Sequence, residues 1–85
     1  MRAVLQYHCG ICDDTATVNG ILAQNEVMVI SQKYVEYETE ARVTIYINDY
    51  NMLNHLVALL NRHCRYGVKI VKVKPDPWWV RRKKS

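Results

Sequence analysis

Apolar and polar positions change their spacing several times along the chain, and each change marks an element. Arg2 to Tyr7 alternates weakly and reads as a first strand carrying Val4, Leu5 and Tyr7. Asp13, Asp14 and Thr15 are of the types that cap helix N-termini, and Val18, Ile21 and Leu22 follow at helical spacing. Gly20 falls inside that helix, at a cost of about 1 kcal/mol relative to alanine. Val27 to Tyr37 is rich in β-branched and aromatic residues, and so is Arg42 to Ile47. With Glu38-Thr39-Glu40 between them, the two predict a hairpin with an acidic tip. In its second arm Val43, Ile45 and Ile47 point inward, alternating with Thr44 and Tyr46. Asn48 or Asp49 then caps a helix whose apolar stripe runs through Met52, Leu53, Leu56, Val57, Leu59, Leu60 and Cys64, from Asn51 to Arg65, and Gly67 stops it. Val68 to Lys74 predicts a last strand, ended by Pro75 and Pro77.

The order β-α-β-β-α-β predicts an α+β, ferredoxin-like fold: a four-stranded antiparallel sheet with two helices on one face. One domain over 1–74 and a C-terminal tail over 75–85 follow from this reading. The second face of the sheet is left uncovered by the chain, and such a face commonly meets another subunit or a ligand. Because this class hosts many functions, the fold alone decides little.

Composition narrows the field. Eighty-five residues allow a single small core, and 49% apolar with 24% charged residues excludes a disordered polyelectrolyte. The longest apolar run, Leu56 to Leu60, is far short of a membrane span, and Met1 to Gln6 is too short for a signal peptide. Together with an odd set of cysteines (Cys9, Cys12 and Cys64), this points to reduced thiols and a cytoplasmic chain. The net charge of +4 hides a division. Residues 1–61 hold seven acids and three bases; residues 62–85 hold nine bases and one acid, Asp76. A mildly acidic body ends in a strongly basic last quarter.

Val18-Asn19-Gly20-Ile21-Leu22, Val27-Met28-Val29-Ile30 with its hairpin, Leu59-Leu60 and Gly67-Val68-Lys69-Ile70-Val71-Lys72 carry a resemblance. Over residues 17–73 the chain resembles ACT-like regulatory domains, most nearly the iron-only hydrogenase system regulators, which are stand-alone chains of about this length. The resemblance implies an oligomer of ACT-like subunits with a regulatory or ligand-sensing role. Two departures limit it. The first turn, His8-Cys9-Gly10-Ile11-Cys12-Asp13-Asp14, lacks the proline of the turn where such domains bind amino acids, so that site is not carried over. The basic tail also lies outside the family pattern. Heavy-metal-associated domains are a second likeness, sharing the element order and a C-x-x-C in this turn. They usually precede it with Met-Thr, where this chain has Tyr7-His8.

Three chemistries remain open at the level of sequence. In a ferredoxin-like arrangement the first strand and the second helix end at the same edge, which would bring Cys9 and Cys12 towards His63 and Cys64. Such N/S donors suit Zn or Cu(I), with His8 as a substitute ligand and His55 a surface residue. The bland alternative makes Cys64 part of the helix's buried stripe and the other two thiols ordinary turn residues. A thioredoxin-like role fits worse, because the pair sits in the wrong fold context. In the tail, Trp78, Trp79, Arg81, Arg82, Lys83 and Lys84 join two indoles to four cations. Lys69, Lys72 and Lys74 extend them into a polyanion-binding patch for nucleic acid or an acidic protein surface. Against this, the indoles pack on the domain or a partner and the basic run is solvated. RNA-recognition motifs share the topology, but Glu40 to Ile47 does not match their aromatic third strand, and only Tyr46 could stack. For an enzyme there is no Gly-rich phosphate loop and no nucleophile–base pair at a recognisable spacing. The expectation is therefore a non-enzymatic binding module, homo-oligomeric, with an anionic partner and no membrane contact. The alternatives are a metal-binding domain and a small inhibitor or adaptor docking on a larger protein or nucleoprotein.

Overall fold

A computed structural model describes residues 1–10, 13–34 and 39–75. Its elements are β1 (Arg2–His8), α1 (Thr15–Gln24), β2 (Met28–Tyr34), β3 (Glu40–Tyr46), α2 (Tyr50–His63) and β4 (Val68–Lys74). The strands form one antiparallel sheet in the order β2-β3-β1-β4, the ferredoxin-like α+β arrangement that the element order predicts.

One face of this sheet builds the core. Alternation sends Ala3, Leu5 and Tyr7 of β1 and Ala41, Val43 and Ile45 of β3 to the helix side, where all six are buried. Val18, Ile21 and Leu22 of α1 and Leu53, Leu56 and Leu60 of α2 close over them. Each leucine fully buried in this way stabilises the fold by about 1.5–3 kcal/mol. The predicted α2 stripe is wider than the buried one: Val57 and Leu59 are only partly covered, and Met52 is exposed.

Local polar contacts set the element ends. Asp49 caps α2, its Oδ1 accepting from the Met52 N–H at 2.8 Å. At α1 the two adjacent aspartates divide the work in a way that composition does not reveal. Asp13 accepts from the backbone N–H of Thr15 at 2.8 Å and from the Thr15 hydroxyl. Those bonds hold the Asp13 carboxyl below its usual range. Asp14 occupies the cap position, but its side chain makes no cap bond. Instead its buried carboxylate accepts from the N–H groups of Arg65 at 3.1 Å and Tyr66 at 3.3 Å, tying the start of α1 to the α2–β4 turn.

Asn61 secures the start of β4, accepting from Val68 N–H at 2.8 Å and donating to Val68 C=O at 3.1 Å. Gly67 between them has φ +80, and a Cβ there would stand 2.7 Å from Asn61 Oδ1. Both the backbone angle and the close approach require glycine. After α1, the chain turns on Glu26 at φ 56. Bonds from Glu26 N–H to Ala23 C=O and from Val27 N–H to Leu22 C=O complete a Schellman motif without its usual glycine.

Candidate nucleic-acid interface

Strand register determines what is carried by the sheet face that the described residues leave uncovered. Four cross-strand rows can be read from the pairing. The first runs Lys74–Arg2–Tyr46–Met28, the second Lys72–Val4–Thr44–Ser31, and the third Lys69–Gln6–Arg42–Lys33. The fourth pairs His8 with Glu40. Since Ala3, Leu5 and Tyr7 point to the core, Arg2, Val4, Gln6 and His8 point away from it, and every residue in their rows does the same.

Two irregularities make this possible. The β1–β4 register shifts between Val4 and Leu5, so Ile70 pairs with Leu5, Lys72 pairs with Val4, and Val71 is an extra residue. Strict alternation would put Lys72 and Lys74 on one face and Lys69 on the other. The bulge at Val71 restores the phase and brings all three lysines together. A similar shift between Val29 and Ser31 leaves Ile30 as the extra residue of β2.

Among the described residues, this face therefore presents six exposed cations, Arg2, Lys33, Arg42, Lys69, Lys72 and Lys74, against one carboxylate, Glu40. The floor between them is short and neutral, formed by Val4, Thr44 and Ser31, with Gln6 buried at 8% exposure. With strands about 4.8 Å apart, the β4 lysines and Lys33 stand about 14 Å from each other across the sheet. One depression of about 230 Å³ is lined by Arg2, Val4, Thr44, Lys72 and Lys74. A second, of about 290 Å³, is lined by Val4, Ser31, Lys33, Tyr34, Arg42 and Thr44. At the far end the His8 ring packs on Tyr66 with centroids 4.2 Å apart, beside a hollow of about 340 Å³ that Glu40 and Lys69 also line.

Sequence reasoning found Lys69, Lys72 and Lys74 but missed Arg2, Lys33 and Arg42. For Arg2 and Arg42 the signal was available, because each alternates with core positions of its own strand. For Lys33 it was hidden by the bulge. The predicted tail residues Trp78, Trp79, Arg81, Arg82, Lys83 and Lys84 lie outside the described residues.

The predicted metal ligands have varied surroundings. Cys9 is half-buried at the end of β1, its N–H bonded to the Thr39 carbonyl at 2.8 Å, and burial pushes its thiol above the usual range. Cys64 is buried in the core cluster, and desolvation, assisted by Asp14, pushes its thiol up to about 11. His63 is exposed and lines a depression with Ala16, Thr17, Gly20, Ile21 and Gln24 of α1. Cys12 lies outside the described residues. Among the described residues, no three His, Cys, Asp or Glu side chains are grouped to hold a metal ion.

No helix among the described residues is long and apolar enough to cross a membrane. Comparison with family models, curated proteins and solved structures gives no match. The fold class therefore stands on the topology of this chain alone.

Proposed function

We propose that this chain is a non-enzymatic binding module whose uncovered sheet face holds a nucleic-acid strand. The observation that carries this reading is the collection of six cations from all four strands on one face, fixed by register and by the bulge at Val71. Phosphates of an extended strand would meet the lysines of β4 on one side and Arg42 and Lys33 on the other, above a neutral floor that does not obstruct them. Lys69, Lys72 and Lys74 sit on a strand and so act as a fixed part of the surface. The basic residues after Pro75 add further positive charge to the same chain.

The test is fluorescence anisotropy of the full chain with short single-stranded RNA and DNA at several salt concentrations, with polyglutamate as competitor. The expected result is binding that weakens linearly in log-log form, by about 0.7 per contacted phosphate for single strands. Absence of binding at low salt overturns the reading. Equal competition by polyglutamate of matched charge would assign the face to an acidic protein instead.

A second copy is the other proposed partner, favoured by β2. All seven residues of this edge strand are exposed, and Met28, Val29, Ile30 and Tyr34 are among the large apolar side chains left uncovered. Its outer edge, unpaired among the described residues, is a template for pairing with another strand. Analytical ultracentrifugation across a concentration series tests this, and a monomer throughout removes it.

A further inference from the structure

Among the six cations, Arg42 is distinguished by how it is held. Its Nε donates to Gln6 Oε1 at 3.0 Å. Gln6 is itself buried, at 8% exposure, and its amide nitrogen donates to the Glu40 carboxylate. A carboxylate can only accept, so Glu40 fixes which end of the Gln6 amide faces it. The oxygen is thereby committed to Arg42. These bonds pin the guanidinium at its inner nitrogen and, among the described residues, leave the two terminal nitrogens for an incoming group. Lys33 stands opposite Arg42 in the β2–β3 pairing, and Thr44 opposite Ser31 in the neighbouring row. All four line the depression of about 290 Å³.

We infer that this depression is a phosphate-binding subsite in which Arg42 grips two phosphate oxygens with its terminal nitrogens, and Gln6 is its positioning residue. Lys33 supplies a second charge, and the hydroxyls of Ser31 and Thr44 supply neutral donors. A pinned, planar fork matches two oxygens of a tetrahedral phosphate, which a lysine at the same place does not. The inference rests on the polyanion reading above and sharpens it, since it makes one contact geometric where the other cations act as charges. A phosphate in the interior of a strand and one at its end present the same chemistry to the subsite.

The test compares the full chain with Arg42→Lys, which keeps the charge and loses the fork, on a short oligo(dT). The expected result is about tenfold weaker binding with the salt slope unchanged. Gln6→Met should weaken binding by a similar factor, with no further loss in the double variant. If Gln6→Met does not fold, Arg42→Lys carries the test by itself. Oligonucleotides with a 5′-phosphate or a 5′-hydroxyl separate the two sources: a preference for the phosphate assigns the subsite to strand ends, and equal binding assigns it to the interior. Arg42→Lys binding as tightly as the parent overturns this inference alone. Failure of the parent to bind any oligonucleotide overturns the polyanion reading with it.

Discussion

Lys69 and Lys72 point from the same face of the sheet although three positions separate them in β4. Only the extra residue, Val71, reconciles that spacing with strand alternation. Deleting Val71 would leave Lys69, Lys72 and Lys74 at strict two-residue intervals, still on one face. The chain lacking Val71 should therefore bind single-stranded nucleic acid within about twofold of the parent, since no phosphate contact is lost. A large loss of affinity in a folded deletion variant, measured by anisotropy, would show that the lysines do not share the face.

Glu40 is the single acid among the described residues of the cationic face, and it opposes an incoming anion. Glu40→Gln removes that charge; the new amide oxygen can still accept from the Gln6 nitrogen, and Arg42 Nε, which can only donate, keeps the Gln6 oxygen facing it. Binding at low salt should tighten by about fivefold, the equivalent of about 1 kcal/mol for one charge near 4 Å in water. The gain should fade as salt rises. Unchanged affinity at low salt would place the anion elsewhere.

The two adjacent aspartates should differ sharply in their effect on stability. Asp14→Ala removes the buried carboxylate that accepts from the N–H groups of Arg65 and Tyr66, two part-buried bonds that tie α1 to the α2–β4 turn, at a cost of about 1–3 kcal/mol. Asp13→Ala removes only exposed local bonds to Thr15 at the start of α1, so its loss should be clearly the smaller of the two. Urea denaturation of the two variants measures the difference. Equal losses would contradict the assignment of Asp14 to the α2–β4 turn.

Burial of Cys64 predicts both reactivity and pH dependence. Its thiol is raised from 9.0 to about 11, so the neutral form is favoured by folding. The stability it contributes is complete below about pH 9 and is lost as the pH rises towards 11. At pH 8 its thiolate fraction should be about a hundredfold below that of the unfolded chain. Peptide-resolved mass spectrometry after brief alkylation, with and without urea, reads this directly. Equally rapid labelling of native and unfolded Cys64 would contradict it.

The architecture was legible in the sequence because its periodicities are clean. Leu53, Leu56 and Leu60 keep helical spacing, and Val43 and Ile45 alternate with polar residues, so α2 and β3 fall where they were expected. What escaped was whatever depends on pairing across the sheet. Alternation alone could not predict that Ile30 and Val71 stand as extra residues, so it could not place Lys33, and the grouping of Lys69 with Lys72 in one patch acquires its reason only from the bulge. The Asp14 bond to Arg65, across fifty-one positions, was hidden for the same reason. Local propensity made Asp14 a helix cap, whereas tertiary structure gives its carboxylate two amides of another turn. Glu26, in a left-handed conformation where glycine is usual, left no trace in the pattern either.

The central claim is that the cations of the sheet face, and not only those after Pro75, hold the nucleic acid. It is tested most directly by comparing salt slopes for a single-stranded oligonucleotide in two full-length variants. One replaces Lys69, Lys72 and Lys74 with glutamine; the other replaces Arg81, Arg82, Lys83 and Lys84. The face variant should lose about two units of log-log slope, about 0.7 for each of three contacts. A face variant with the parent's slope and affinity, beside a tail variant that no longer binds, would contradict the account.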